Sequence, residues 1–85
     1  MTIKTKTIVA QMLVLRNSLV SSGNGASHYF QCLIDGLAAS EGDQCVVKLL
    51  MQIKSGSKIV ELANFSCEQE GLWLGIWAEA TRLLN

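Results

Sequence analysis

The chain of 85 residues carries seven Lys and Arg against seven Asp and Glu, so no basic field is present to attract nucleic acid or anionic lipid. Hydrophobic residues make up 49% of the chain and charged residues 16%, whereas a typical charged share is about 25%. A single domain over residues 1–85 buries only about 60 to 65% of its unfolded surface, so this apolar content favours a homo-oligomer, most simply a dimer.

Apolar residues at helical spacing predict two helices in the first half of the chain. The first helix covers about residues 5–21, and the stretch SSGNG ends it, with Gly23 as the left-handed residue after the last turn. The second helix covers about residues 26–39. Its apolar stripe is the most regular in the chain and consists of Ala26, Tyr29, Phe30, Leu33, Ile34 and Leu37.

Two more helices are predicted in the second half, with an ambiguous segment between them. Asp43 is placed to cap a third helix over about residues 44–54, and Ser66 and Gln69 have the capping-box spacing that starts a final helix. Residues 57–65 can form helical turns or a strand, and a lone strand lacks a pairing partner. The expected fold is therefore all-α: a compact bundle of four main helices plus one short helical or irregular segment.

The final helix has one bulky face and one nearly bare face. Trp73 and Trp77 lie one turn apart on the bulky face, where core packing predicts that both indoles are largely buried. The alternative is an apolar small-molecule pocket beside them, with Tyr29 and Phe30 as further lining residues. A third interpretation treats the indoles as anchors for a protein partner, since Trp is enriched at binding hot spots.

Two surfaces are candidates for an interface. The bare face of the final helix carries Gly71, Leu74, Gly75, Ala78 and Arg82. It is either solvated or approached closely by another backbone, and such contact would offset the roughly 1 kcal/mol that a helical glycine costs. The second candidate is an apolar arc of the first helix that consists of Val9, Leu13, Arg16 and Val20.

Arg16 is the one charge within that arc of the first helix. In the simpler interpretation its stem lies along apolar surface while the guanidinium reaches water. In the functional interpretation the guanidinium fork binds a carboxylate of this chain or of a partner.

No residue pattern has the spacing of a catalytic, metal or nucleotide site. His28, Cys32 and Asp35 share one face of the second helix, but the fourth ligand and the paired thiols of a closed zinc site are missing, so a solvated face is expected. The glycine loops GNGAS and SGSK lack the spacing of a phosphate-binding loop. We therefore expect no enzyme activity, no cofactor and no metal.

Cysteine use and hydropathy favour a cytoplasmic protein. Cys32, Cys45 and Cys67 are odd in number and far apart, which indicates small semi-buried residues rather than a disulfide framework. The opening MTIKTKTIVAQMLVL is like a signal peptide, but polar residues interrupt its apolar run. No stretch reaches the roughly 18 apolar residues of a membrane span, and the glycosylation motif at Asn64 is then an accident of composition.

The order of these segments resembles that of one group of proteins. The stretches LVLRNSLVSSG, SHYFQCLIDGL and SGSKIVELANF, followed by an amphipathic helix, resemble small all-helical bacterial proteins of uncharacterised function, including orphan products of phages and mobile gene cassettes. The resemblance covers most of the chain and is one of spacing. It implies a helical fold without a known active site and transfers no functional residue.

Two functions from different classes follow from the sequence. The favoured one is a non-enzymatic helical protein–protein interaction module that self-associates, with another protein as a further partner. The alternative is a small-molecule-binding helical protein with an apolar pocket near Trp73 and Trp77.

Overall fold

The computed structural model describes residues 3–85, and the described chain forms five helices without strands. They are α1 (Lys6–Ser21), α2 (Ser27–Ala39), α3 (Asp43–Lys54), α4 (Ser57–Leu62) and α5 (Cys67–Leu84). The predicted all-α bundle of four main helices and one short segment is confirmed. The ambiguous segment contains a short helix, α4.

The core lies between α1, α2, α3 and α5, and each of these helices contributes one apolar stripe. α1 packs against α2 and α5, and α3 packs against α5 and α2. Helical periodicity places the stripe residues on one side of each helix. The fully buried side chains are Ile8, Met12, Leu15, Leu19, Phe30, Leu50, Ile53, Ile76 and Ala80. Burial of a large apolar side chain contributes roughly 1.5–3 kcal/mol, so these stripes hold the bundle together.

The turn after α1 closes as the sequence predicts. Gly23 has a φ of 70°, its N–H donates to the carbonyl of Val20 at 3.1 Å, and the N–H of Asn24 donates to that of Leu19 at 2.8 Å. These two bonds form a Schellman motif, which satisfies carbonyls that the helix leaves unpaired. The motif reverses the chain so that α2 packs back along α1.

The start of α3 differs from the prediction that Asp43 caps it. Gly42 is the N-cap residue, and Asp43 is the first residue of the helix. The Oδ1 atom of Asp43 accepts a hydrogen bond at 3.0 Å from the backbone N–H of Ile3 instead. The carboxylate still lies in the first turn, where the helix dipole favours negative charge. Asp43 therefore joins the start of α3 to the segment that precedes α1.

A close contact between two helices occurs at Gly36 of α2. A Cβ at this position would lie 3.2 Å from Cδ1 of Leu49, on α3. The missing side chain therefore lets the two helices approach.

Within residues 3–85, no helix is long and apolar enough to cross a membrane.

Candidate interaction surface

The two tryptophans of α5 have different environments. Trp73 exposes 5% of its surface, and its ring centroid lies 5.8 Å from that of Phe30. Trp77 exposes 37%. Burial is therefore confirmed for Trp73 and wrong for Trp77. At about 100° per residue, Trp77 lies about 70° from the middle of the buried arc of α5, so it stands at the edge of the core.

Trp77 is held in this position by Lys54, the last residue of α3. Its indole Nε1–H donates a hydrogen bond at 3.2 Å to the backbone carbonyl of Lys54. That carbonyl accepts no hydrogen bond inside α3, because the last carbonyls of a helix lack intrahelical partners. The ammonium of Lys54 lies 5.5 Å from the Trp77 ring centroid, which is the geometry of a cation–π contact. Two contacts thus fix an indole that solvent still reaches.

Exposed apolar side chains adjoin this indole. Leu74 precedes Trp77 by one helical turn and exposes 63% of its surface, while Met51 precedes Lys54 by one turn and exposes 60%. A cleft of about 450 Å³ lies between Met51, Lys54, Ser55 and Leu84. We call this patch the Trp77 surface, and it consists of Met51, Lys54, Leu74, Trp77 and Leu84.

The residues on the bare face of α5 differ in solvent exposure. Gly71, Leu74, Ala78 and Arg82 are exposed, whereas Gly75 is half-buried. A Cβ at Gly75 would lie 3.7 Å from Nε2 of Gln11, on α1. The helix that approaches Gly75 is therefore α1 of the same chain. The exposed residues of the bare face remain the candidates for contact with a partner.

Arg82 is engaged within its own helix. Its Nε–H donates to Oε1 of Glu79 at 2.7 Å, and the two side chains form an ion pair. The hydrogen bond and the charge of Glu79 raise the pKa of Arg82. The guanidinium thus lies on the bare face with its charge paired.

Gly71 offers a direct test of whether the bare face is solvated. A Cβ at Gly71 meets nothing within 4 Å, so we expect Gly71→Ala to raise the free energy of unfolding by about 0.5–1 kcal/mol through helix propensity. Urea denaturation measures the change. Gly36→Ala is the control, because its Cβ presses on Leu49 and should bring no such gain. A loss of stability in Gly71→Ala would mean that another backbone lies against this face.

The apolar arc of α1 is partly buried. Leu13 and Val20 are exposed, whereas Val9 is half-buried and packs against the core. Val14 is also exposed, but it lies on the opposite flank of α1. The arc therefore offers two exposed aliphatic side chains rather than a continuous patch.

Arg16 does not bind a carboxylate of its own chain, which the functional interpretation of the sequence allowed. It is half-buried, its Nη1 donates to Oε1 of Gln31 on α2 at 2.8 Å, and its Nη2 donates to Oδ1 of Asn17. Its Nε is buried without a hydrogen-bond partner among residues 3–85. The fork binds two neutral amide oxygens of its own chain, because the α1–α2 contact places Gln31 closer than any carboxylate.

Three of the four pocket candidates form one aromatic cluster. The centroid of Phe30 lies 5.3 Å from that of Tyr29 and 5.8 Å from that of Trp73. Phe65, which the sequence does not single out, lies 6.2 Å away. Partial burial raises the pKa of Tyr29, because the phenolate is poorly solvated there. The rings pack against one another, and Trp77 lies outside the cluster.

His28, Cys32 and Asp35 lie on a solvated helix face. All three are exposed, and Oδ1 of Asp35 accepts a hydrogen bond at 2.8 Å from Nε2 of Gln31. Within residues 3–85, no group of three or more His, Cys, Asp or Glu side chains is arranged to hold a metal ion.

The three cysteines are also exposed. The expectation that they are semi-buried is wrong. Cys32 lies opposite the apolar stripe of α2, and Cys45 and Cys67 lie in the first turns of α3 and α5, where neighbouring helices do not cover them.

Gln69 is the polar residue whose role the sequence shows only in part. The capping box with Ser66 is confirmed, but Gln69 is also buried, and its Nε2 lies 3.2 Å from Oγ of Ser18 and 3.1 Å from Oγ of Ser22. It therefore ties the start of α5 to the end of α1. One signal was present in the sequence: Gln69 precedes Trp73 by four residues and so shares its face.

A polar cleft of about 660 Å³ opens beside Gln69, between the end of α1 and the link from α4 to α5. Hydroxyl and amide side chains dominate its lining.

No family model, no curated protein and no solved structure matches the chain. The resemblance to small all-helical bacterial proteins therefore stays a prediction.

Proposed function

We propose that the protein is a non-enzymatic helical interaction module that forms a homodimer through the Trp77 surface. The observation that carries the proposal is the state of Trp77: two contacts with Lys54 hold the indole in place, and 37% of it is nevertheless exposed. An indole that is already ordered loses little conformational entropy when a partner covers it. Trp in such a setting is the residue type most enriched at binding hot spots.

The surroundings of Trp77 fit a protein partner. Met51, one turn before Lys54, and Leu74, one turn before Trp77, expose 60% and 63% of their surfaces. An apolar centre with few charges is typical of the core of a protein–protein interface. The one charge in the patch, on Lys54, lies against the Trp77 ring.

A second copy of the chain fits this surface on electrostatic grounds. The chain has no net charge and only 16% charged residues, so two copies do not repel each other. A two-fold axis through the patch brings the apolar residues of both copies together, since such an interface uses the same patch twice. The apolar content of the chain supports the same arrangement.

The packing of the aromatic cluster favours this function over small-molecule binding. Tyr29, Phe30 and Trp73 place their rings against one another at 5.3 and 5.8 Å between centroids. Phe30 is fully buried. A pocket at this place would require the rings to separate, which loses aromatic contacts worth about 0.5–1.5 kcal/mol each.

Leu74→Glu tests the dimer. We expect the wild-type chain to sediment as a dimer at micromolar concentration and the variant to raise the dimer dissociation constant at least about 30-fold, which corresponds to a hot-spot loss of about 2 kcal/mol. The fold should persist, because Leu74 is exposed in the monomer. Val14→Glu is the matched control: Val14 exposes 53% of its surface on α1, away from the patch.

Sedimentation velocity distinguishes the outcomes. A monomeric wild-type chain would reject self-association. Equal weakening by both variants would show that the charge acts without regard to position and would contradict an interface at the Trp77 surface. A dimer that Leu74→Glu leaves intact but Leu13→Glu dissociates would place the interface on the arc of α1.

A further inference from the structure

The turn between α1 and α2 contains Asn24 followed by Gly25, and both ends of the Asn24 side chain are engaged. Its Oδ1 accepts a hydrogen bond at 2.9 Å from the backbone N–H of Ala26, which is an Asx turn. Its Nδ2 donates at 2.7 Å to the backbone carbonyl of Ala63. Ala63 belongs to the link between α4 and α5, so Asn24 joins two loops that are 39 residues apart.

The α4 segment has few other attachments. No residue of α4 is buried, and Leu62 exposes 86% of its surface. Val60 and Phe65 pack partly against the core. Among the described residues, the bond from Asn24 is the one hydrogen bond that joins residues 57–65 to α1, α2 or their connecting turn. The hydrogen bond from Asn24 to the Ala63 carbonyl, which we call the clasp, therefore holds this segment against the turn between α1 and α2.

The same amide is placed for chemical modification. Gly25 is exposed, a Cβ on it would meet nothing within 4 Å, and among residues 3–85 its N–H donates no backbone hydrogen bond. The backbone nitrogen that follows Asn24 therefore has neither a side chain on its own residue to crowd it nor a backbone hydrogen bond to hold it. The N–H of Ala26, bonded to Oδ1, stabilises the negative charge that develops on this oxygen when a nucleophile attacks Cγ.

We propose that Asn24 is a deamidation site whose conversion opens the clasp on α4. The Gly25 nitrogen loses its proton to solvent base and attacks Cγ of Asn24. The bond from Cγ to Nδ2 then breaks, and Nδ2 leaves as ammonia after taking a proton from water. Water opens the resulting five-membered imide at either carbonyl, which yields an aspartate or an isoaspartate. The net change replaces one amide by one carboxylate, consumes one water and involves no oxidant.

Neither the aspartate nor the isoaspartate can donate the hydrogen bond to the Ala63 carbonyl. The Nδ2 donor becomes a carboxylate oxygen opposite the carbonyl of Ala63, so two acceptors face each other where a 2.7 Å hydrogen bond was. An acceptor that loses its donor turns to water. The link between α4 and α5 then separates from the turn, and α4, which lacks buried residues, opens more often.

Peptide mapping by mass spectrometry tests the modification in the full chain, kept folded in mildly alkaline buffer. We expect Asn24 to convert severalfold faster than Asn17, Asn64 and Asn85 of the same molecules. Gly25→Ala is the matched variant, because its Cβ has open space and hinders only the attacking nitrogen; it should suppress conversion at Asn24. An Asn24 amide that survives as long as that of Asn64 would overturn the proposal.

Hydrogen exchange tests the clasp separately. Asn24→Asp reproduces the product, and we expect the amides of α4 to exchange about tenfold faster, the factor that corresponds to one lost hydrogen bond. Asn64→Asp is the control, since Asn64 lies on the same cleft and its side chain makes no hydrogen bond to residues 3–85. Unchanged exchange in Asn24→Asp would refute the clasp even if deamidation occurs.

Discussion

Trp73→Ala is expected to lower the free energy of unfolding by about 3–5 kcal/mol, measured by urea denaturation, because it leaves a large cavity in the core. Trp73 exposes only 5% of its surface and packs on Phe30, which is fully buried. A loss of this size is a large share of the stability of a small domain, which is typically about 5–15 kcal/mol. Much of the Trp73→Ala population should therefore unfold well below the wild-type midpoint.

Trp77→Ala is the matched control for this prediction, since the two residues share a type and a helix. We expect a smaller loss, about 1–2 kcal/mol, because solvent already reaches the indole and one hydrogen bond to the Lys54 carbonyl is removed. Unfolding is measured at a concentration low enough to keep the chain monomeric. Equal losses in the two variants would contradict the difference in burial.

Gln69→Leu is expected to lower the free energy of unfolding by about 2–4 kcal/mol, although it adds an apolar side chain to a buried position. The buried amide of Gln69 accepts from the N–H of Ser66 at 3.0 Å and donates to the Ser18 and Ser22 hydroxyls. Leucine removes the hydrogen bonds to the Ser66 N–H and to the Ser18 and Ser22 hydroxyls, each worth about 0.5–1.5 kcal/mol, and this sum exceeds the gain from apolar burial.

Gln11→Leu is the control for Gln69→Leu. Gln11 lies on the same α1–α5 contact, but its Oε1 is buried without a hydrogen-bond partner among residues 3–85. Removal of an unpaired buried acceptor should leave stability unchanged or raise it. Ser66→Ala, which removes only the cap, should cost about 1 kcal/mol. Thermal or urea unfolding that finds Gln69→Leu no worse than Ser66→Ala would reject the bridge between α1 and α5.

Local signals in the sequence determined the helices and most of their ends. The stripe that contains Phe30 and Leu33 predicted the buried side of α2, and Gly23 predicted the turn after α1, with its φ of 70°. Ser66 and Gln69 predicted the start of α5. Each of these features depends on residues within one or two turns of each other, so periodicity and capping chemistry are sufficient to find them.

The site depended on contacts that no local pattern contains. The apolar arc of α5 includes both tryptophans, but Trp73 is buried and packs against Phe30 of α2, whereas Trp77 stands at the edge of the core beside Lys54 of α3. In the same way α1 covers Gly75 and leaves Gly71 open. Helical periodicity determines which side of a helix is apolar, whereas the packing of helices distant in sequence determines how wide a part of that side is buried. Local sequence patterns therefore specified the four main helices and left residues 57–65 open between helix and strand, and the packing of the helices decided which apolar residues remain on the surface.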